Sequence, residues 1–263
     1  MSIHVVKFLH ESMGFNLDHE VWKTAAEHND LLCVKYLHEK KTKKETLKII
    51  ANMLAYGSLQ CLEFVHEKGW EIPAILADIA VAGGHLECVK FTQKICGPTF
   101  TAYTMTLASE VSDLALIRYL HEAGCPWSMK VCKFLARKGN LDGLIFAHEN
   151  GCPWDASTCA FAALEGHLRC LEYAHSQGCP WDELTIQGAV MGGNIECLAY
   201  AYQHGCTGTE DAIMYALYFR SWACCRYILC DIGVSQDTVC TLCLTALCCG
   251  SLALMVYNSH YDL

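Results

Sequence analysis

The sequence predicts an all-α solenoid built from pairs of short helices. Three observations point there: an internal repeat of 27 to 28 residues, helix-length apolar stripes inside each repeat, and a glycine that closes each one. The repeat is clearest between Ser128 and Trp181. Residues 128–154 and 155–181 have the same length and match position by position, each ending in Gly-Cys-Pro-Trp. The apolar residue after the mid-repeat turn recurs as Leu31, Leu59, Leu86, Leu114, Leu141, Leu168, Ile195, Trp222 and Leu252. Nine such marks at near-constant spacing define a repeat architecture. A partial unit at the start, Val5 to Glu11, carries only the second half of the pattern. No linker interrupts the series. A single array over residues 1–263 is therefore expected, with a partial repeat at 1–18 and a final repeat at about 237–263.

Each unit reads as two helices, taken here in chain order for the unit that begins at Asp155. Asp155 is an N-cap residue, whose carboxylate satisfies free amides of the first turn. Cys159, Phe161, Ala162 and Ala163 give the first helix its apolar face. Gly166-His167 breaks it. Leu168, Cys170, Leu171, Tyr173 and Ala174 form the wide apolar stripe of the second helix. Gly178 stands where a helix ends in a left-handed residue, and Pro180 prevents continuation. Gly69, Gly124, Gly151 and Gly205 hold the same place. Helices of about ten residues are marginal alone in water, so they must bury their stripes on neighbouring units.

The residues now carry a family resemblance. Gly84-His85-Leu86 and Gly166-His167-Leu168 at the start of the second helix, the paired Ala162-Ala163, and the Gly-Cys step after the second helix resemble the ankyrin repeat. The period is shorter than the roughly 33 residues of that family, and the shortfall lies where ankyrins extend a β-hairpin finger. The Thr-Pro-Leu-His opening is replaced by Thr158-Cys159-Ala160-Phe161. The pattern is similar to the divergent short-period ankyrin-like repeats with Cys-Pro-Trp connectors found in giant viruses of amoebae and some protists. The resemblance implies helix pairs without extended fingers and a protein-binding role. For a viral chain it implies host proteins as partners.

Composition narrows the function. Of 263 residues, 53% are apolar and 18% charged, and the net charge is −9. Disorder is excluded on that composition. Charge is unevenly placed: residues 1–138 are close to neutral, whereas 139–263 hold 3 Lys/Arg against 13 Asp/Glu. The second half repels polyanions. The one basic run, Lys40, Lys41, Lys43, Lys44 and Lys48, is interleaved with Glu39 and Glu45 and reads as a solvated connection. Nineteen cysteines, an odd number in a long chain, and no cationic run with an apolar core between Met1 and His10 point to a reducing, intracellular and cytoplasmic setting.

Cysteine and histidine invite a zinc or thiol reading. Cys33, Cys61, Cys88, Cys170, Cys197 and Cys224 share one repeat position; Cys125, Cys152, Cys179 and Cys206 share another; His10, His38, His66, His121, His148 and His175 share a third. Equivalent positions on stacked helices stand roughly 8–10 Å apart, far beyond shared zinc bonds of about 2.0–2.3 Å. They read as core residues, with each histidine closing its helix by donating to a local carbonyl. Cys240 and Cys243 form the lone C-x-x-C. No G-x-S-x-G, P-loop or H-E-x-x-H motif is present. No catalytic residue, cofactor or metal ligand is assigned, and the chain is read as a non-enzyme.

The expected function is a protein-interaction scaffold. Its binding face would be the concave side, made from first helices and connectors, with Trp127, Lys130, Lys133, Trp154, Ser157, Trp181, Glu183 and Gln187 as candidate contacts. The tryptophans have a second reading, each ring packing over the first helix of the next repeat in place of the missing finger. The acidic second half suits a basic or polar partner. Two further surfaces are expected: the unpaired first helix, and an apolar patch on the last repeat fit for self-association. Thr238 to Tyr257 contains no Asp, Glu, Lys or Arg, so a tail-anchored membrane adaptor is the alternative.

Overall fold

The computed structural model describes residues 3–40, 46–97, 99–206 and 212–230. The final repeat at about 237–263, the apolar stretch 238–257 and Cys240 and Cys243 lie outside the described residues. Among the described residues all regular structure is helical, and no strand occurs. None of their helices is long and apolar enough to cross a membrane.

The helices are α1 (Ile3–Met13), α2 (His19–Glu27), α3 (Leu31–Glu39), α4 (Thr46–Ala55), α5 (Leu59–Glu67), α6 (Ala77–Ala82), α7 (Leu86–Cys96), α8 (Ala102–Val111), α9 (Leu114–Glu122), α10 (Lys130–Arg137), α11 (Leu141–Glu149), α12 (Ala156–Leu164), α13 (Leu168–Ser176), α14 (Glu183–Gly192), α15 (Ile195–Gln203), α16 (Ala212–Tyr218) and α17 (Trp222–Cys230). A short 3-10 turn, Ala74–Leu76, precedes α6. Each second helix, α3 through α17, begins on the apolar residue that marks the turn in the sequence. The helix α1 precedes the first pair without a partner of its own.

Two compact units emerge. One contains residues 1–135 and 142–153, the other 136–141 and 154–263. Within the first, first helices pack in series (α2 on α4, α4 on α6, α6 on α8), as do second helices (α1 on α3, α3 on α5, α5 on α7). Within the second, α12, α14 and α16 form one row and α13, α15 and α17 the other.

Local chemistry fixes each pair. Three first helices start on carboxylates: Asp18 accepts from the Glu20 amide at 3.1 Å, and Asp155 and Asp182 accept from Ser157 and Leu184 at 3.0 Å each. These bonds satisfy amides that a helix leaves free at its start. Six second helices, α5, α7, α9, α11, α13 and α15, end on a left-handed glycine. At Gly178, φ is +78°, and the amides of Gly178 and Cys179 return to the carbonyls of His175 and Ala174 at 3.0 and 2.9 Å. A β-carbon there would be strained.

Successive repeats are then tied through the turn before each second helix. His85 Nε2 donates to the Ala55 carbonyl at the end of α4, at 2.9 Å. Asn194 Nδ2 donates to Ala163 and Leu164 at the end of α12, at 2.9 and 2.8 Å. Ser58 Oγ does the same to Ala26 at the end of α2. The residue after the Gly turn is thus a C-terminal cap for the preceding first helix.

The core runs between the two rows. Trp22, Ile50, Met105, Cys132, Cys159 and Ile186 occupy one repeat position on first helices and are fully buried. Cys33, Cys61, Cys88, Cys170, Cys197 and Cys224 line second helices with no more than 1% exposure, as small apolar residues would.

Candidate functional site

The second helices show a contact that the sequence reading missed. Their sixth residue is always aromatic: Tyr36, Phe64, Phe91, Tyr119, Phe146, Tyr173, Tyr200 and Tyr227, with Phe8 at that place in α1. The eighth residue of the preceding second helix reaches it. His10 Nδ1 lies 2.8 Å from Tyr36 Oη, and His175 Nδ1 lies 2.9 Å from Tyr200 Oη. His38, His66 and His121 set their rings edge-to-face on Phe64, Phe91 and Phe146, at 5.7, 5.8 and 5.6 Å. Where the eighth residue is Gln93, Tyr119 Oη donates to its side-chain oxygen. These histidines therefore bind the next repeat's aromatic side chain. The sequence reading, in which they close their own helices on a local carbonyl, did not include this contact. It follows from register: the eighth residue of one second helix faces the sixth of the next.

The connector tryptophans join this column. Trp127 stacks on His121 at 4.9 Å, meets Phe146 edge-on, and donates Nε1–H to the Asn150 carbonyl at 2.9 Å. Trp181 stacks on His175 at 3.8 Å and meets Tyr200. Trp154 meets Tyr173 edge-on at 6.4 Å. All three are half-buried. Their contacts with other aromatic rings run to second helices. Trp70 is more buried than these, at the cysteine position of its connector, against Trp22 and His38.

The cysteines after the glycine also have a repeated bond. The Cys125, Cys152, Cys179 and Cys206 thiols point to the carbonyls of Thr101, Ser128, Asp155 and Asp182, at 3.2, 3.6, 3.3 and 3.1 Å. Each carbonyl lies 24 residues earlier. Burial pushes the Cys88, Cys125, Cys170 and Cys197 thiols up to about 11 and Cys61 to about 12. Cys33 also reaches about 12, through burial and the Asp30 carboxylate that accepts its S–H at 2.9 Å. A thiol held protonated is a poor nucleophile and metal ligand. Among the described residues, no three His, Cys, Asp or Glu side chains converge as a metal cluster would.

The first helices of the second unit present a different surface. Ser157, Ala160, Phe161 and Leu164 of α12, Leu184, Gln187, Gly188 and Met191 of α14, and Phe219 after α16 line an open groove of about 220 Å³. Gly188 forms its floor. A β-carbon there would stand 2.5 Å from the Ala160 carbonyl oxygen, so only glycine permits this approach of α14 to α12. The wall is fixed by Gln187 Nε2, which donates to Tyr215 Oη at 2.7 Å. Leu184 and Met191 are each 47% exposed, and Phe219 40%.

The eight sequence candidates thus separate. Ser157 and Gln187 share this groove, and the exposed Glu183 adjoins it beside Leu184. Lys130 is exposed and Lys133 half-buried on α10. Trp127, Trp154 and Trp181 belong to the second-helix column. The apolar groove residues went unnoticed in the sequence because exposed and buried apolar residues look alike there. Comparing equivalent positions across repeats would have exposed them.

No protein-family model matches the chain, and no curated protein matches it. Among solved structures it is similar to the crystal structure of the human ASB11 ankyrin repeat domain. The likeness has a TM-score of 0.50 at 16% sequence identity and covers 62% of this chain and 84% of that one. At such identity the likeness speaks to the fold alone: an all-α array of ankyrin-like helix pairs.

Proposed function

We propose that this chain is a non-catalytic protein-interaction scaffold that binds its partner through first helices and connectors. The observation that carries the reading is the open groove on α12 and α14, where apolar side chains stay in water although the fold buries others nearby. Exposed apolar patches of this kind mark interaction sites. Trp127, Lys130, Lys133, Trp154, Ser157, Trp181, Glu183 and Gln187 remain the candidate contacts, with Ser157, Glu183 and Gln187 supported by their place at the groove.

The uninterrupted repeat series supports one array across both units. Of the cysteines of the described residues all but Cys96 and Cys230 are buried, which suits a reducing cytoplasmic setting. The Cys-Pro-Trp connectors extend the reading to a viral chain acting on host proteins in the host cytoplasm. Peptide-display selection on the full chain, with the footprint of the selected binders mapped by hydrogen exchange, tests the scaffold reading. Protection centred on first helices and connectors is the expected result. Protection confined to second helices would overturn it.

A further inference from the structure

Four outward positions recur on every first helix. On α2 they are Glu20, Lys23, Thr24 and Glu27; on α10 Lys130, Lys133, Phe134 and Arg137. On α12 they become Ser157, Ala160, Phe161 and Leu164, and on α14 Leu184, Gln187, Gly188 and Met191. On α16 the described ones are Met214, Tyr215 and Tyr218, with Met214 41% and Tyr218 80% exposed. The positions that are mostly charged in α2 are mostly apolar among the described residues of α12, α14 and α16. The notch at Gly188 lies between Phe161 and Tyr215 at one repeat position. This is a shaped strip, not scattered surface apolarity.

Its charge surroundings are acidic. Asp155, Asp182 and Glu183 stand at the starts of α12 and α14, and Glu165 at the end of α12. Against them are Arg137, whose Nε pairs with Glu165 at 3.1 Å and whose guanidinium stands 5.8 Å from the Phe161 ring centre, and the exposed Arg220. Among the described residues of α12 and α14 and the turns beside them, carboxylates therefore outnumber the exposed Arg220 at the far end. Residues 139–263 as a whole carry 13 acidic and 3 basic side chains.

Resting on the scaffold reading, we infer that this strip receives a basic amphipathic helix of another protein. Its apolar side chains would seat between Phe161, Leu184 and Met191, and its Lys/Arg would face Asp155, Asp182 and Glu183. Three adjacent first helices span about 20 Å at packing distances of 8–10 Å. A helix of about 14 residues, at 1.5 Å per residue, matches that length. The flexible thioethers of Met191 and Met214 suit a surface that adapts to inserted side chains. Acidic focusing selects cationic partners and makes the contact salt-sensitive.

Three synthetic helical peptides of about 14 residues test this by fluorescence anisotropy on the full chain. One has Leu and Phe at i, i+3, i+4 and i+7 with Lys elsewhere. The second replaces Lys by Glu. The third shuffles the first, so that no apolar face forms. The first should bind at least about tenfold more tightly than the other two. It should lose at least about tenfold on a Leu184→Lys/Met191→Lys chain, and also, by a smaller factor, on Phe219→Ala. These sites are solvent-exposed, and an unchanged melting curve for each variant verifies folding. Equal binding of the Lys and Glu peptides, or undiminished binding to the double variant, would overturn the inference. If none of the three peptides binds while display-selected binders still protect first helices and connectors, the basic-helix assignment falls and the scaffold reading stands. If neither occurs, both fall.

Discussion

Helices α2 and α14 hold the same place in their repeats and do two different jobs with it. Their inward positions agree in kind: Trp22, Ala25 and Ala26 in one, Ile186, Ala189 and Val190 in the other, all fully buried. Their outward positions disagree. Glu20, Lys23, Thr24 and Glu27 make α2 an ordinary solvated face, while Leu184, Gly188 and Met191 make α14 a groove. What repeats holds the array together; what departs from the repeat is available for recognition. The second-helix column stands on the repeating side of that division, because five units rebuild the same His-to-aromatic contact.

The comparison is broken most severely by filling the floor of the groove. Gly188→Leu places a side chain against the Ala160 carbonyl and forces α14 away from α12. It should cost about 2–4 kcal/mol in denaturant unfolding, in the range of overpacked interiors. The equivalent outward change Thr24→Leu on α2 should cost under about 0.5 kcal/mol, since that face is open.

A middle-sized effect is expected in the column. His175→Ala removes the stack on Trp181 and the Tyr200 contact and should cost about 1 kcal/mol. Burial, and then the neighbouring His204, hold the His175 imidazole below its ordinary value of 6.5. The neutral ring is the folded form. Its stabilisation is complete above about pH 6.5 and fades as the pH falls through that value towards the lower folded-state pKa. Unfolding free energies measured from about pH 7.5 down to 5 should decline more steeply for the wild type than for His175→Gln.

The smallest effect is chemical. In the native protein, an alkylating reagent mapped by mass spectrometry should mark the exposed Cys230 before the other cysteines of the described residues, and should reach Cys170 only on unfolding. Early labelling of Cys170 would show that the second-helix cysteine row is not closed.

Much of this architecture was legible in the sequence. Leu31, Leu59 and their successors as far as Trp222 mark the true starts of second helices, and Gly69 and Gly178 their true ends, because helix termini depend on local chemistry. The site was legible only in part. Ser157 and Gln187 were identified from their place on a first helix, but the second-helix rings that Trp127, Trp154 and Trp181 meet were not. A ring beyond a Gly-Cys-Pro turn can fold back on either row, and the spacing does not say which. The histidines show the same limit: sequence gives their period, while the partner on the adjacent helix appears only with the packing. Leu184 and Met191 escaped notice because an apolar residue declares its burial only against its structural neighbours.

The division between repeated and departing positions is tested most directly by measuring stability and binding on the same two variants. Leu184→Lys/Met191→Lys should keep the wild-type unfolding free energy within about 0.5 kcal/mol and lose the basic helical peptide by at least about tenfold. His175→Ala should lose stability by about 1 kcal/mol and, where folded, bind that peptide as the wild type does. The reverse pattern, a groove variant that binds normally and a column variant that does not, would contradict the account.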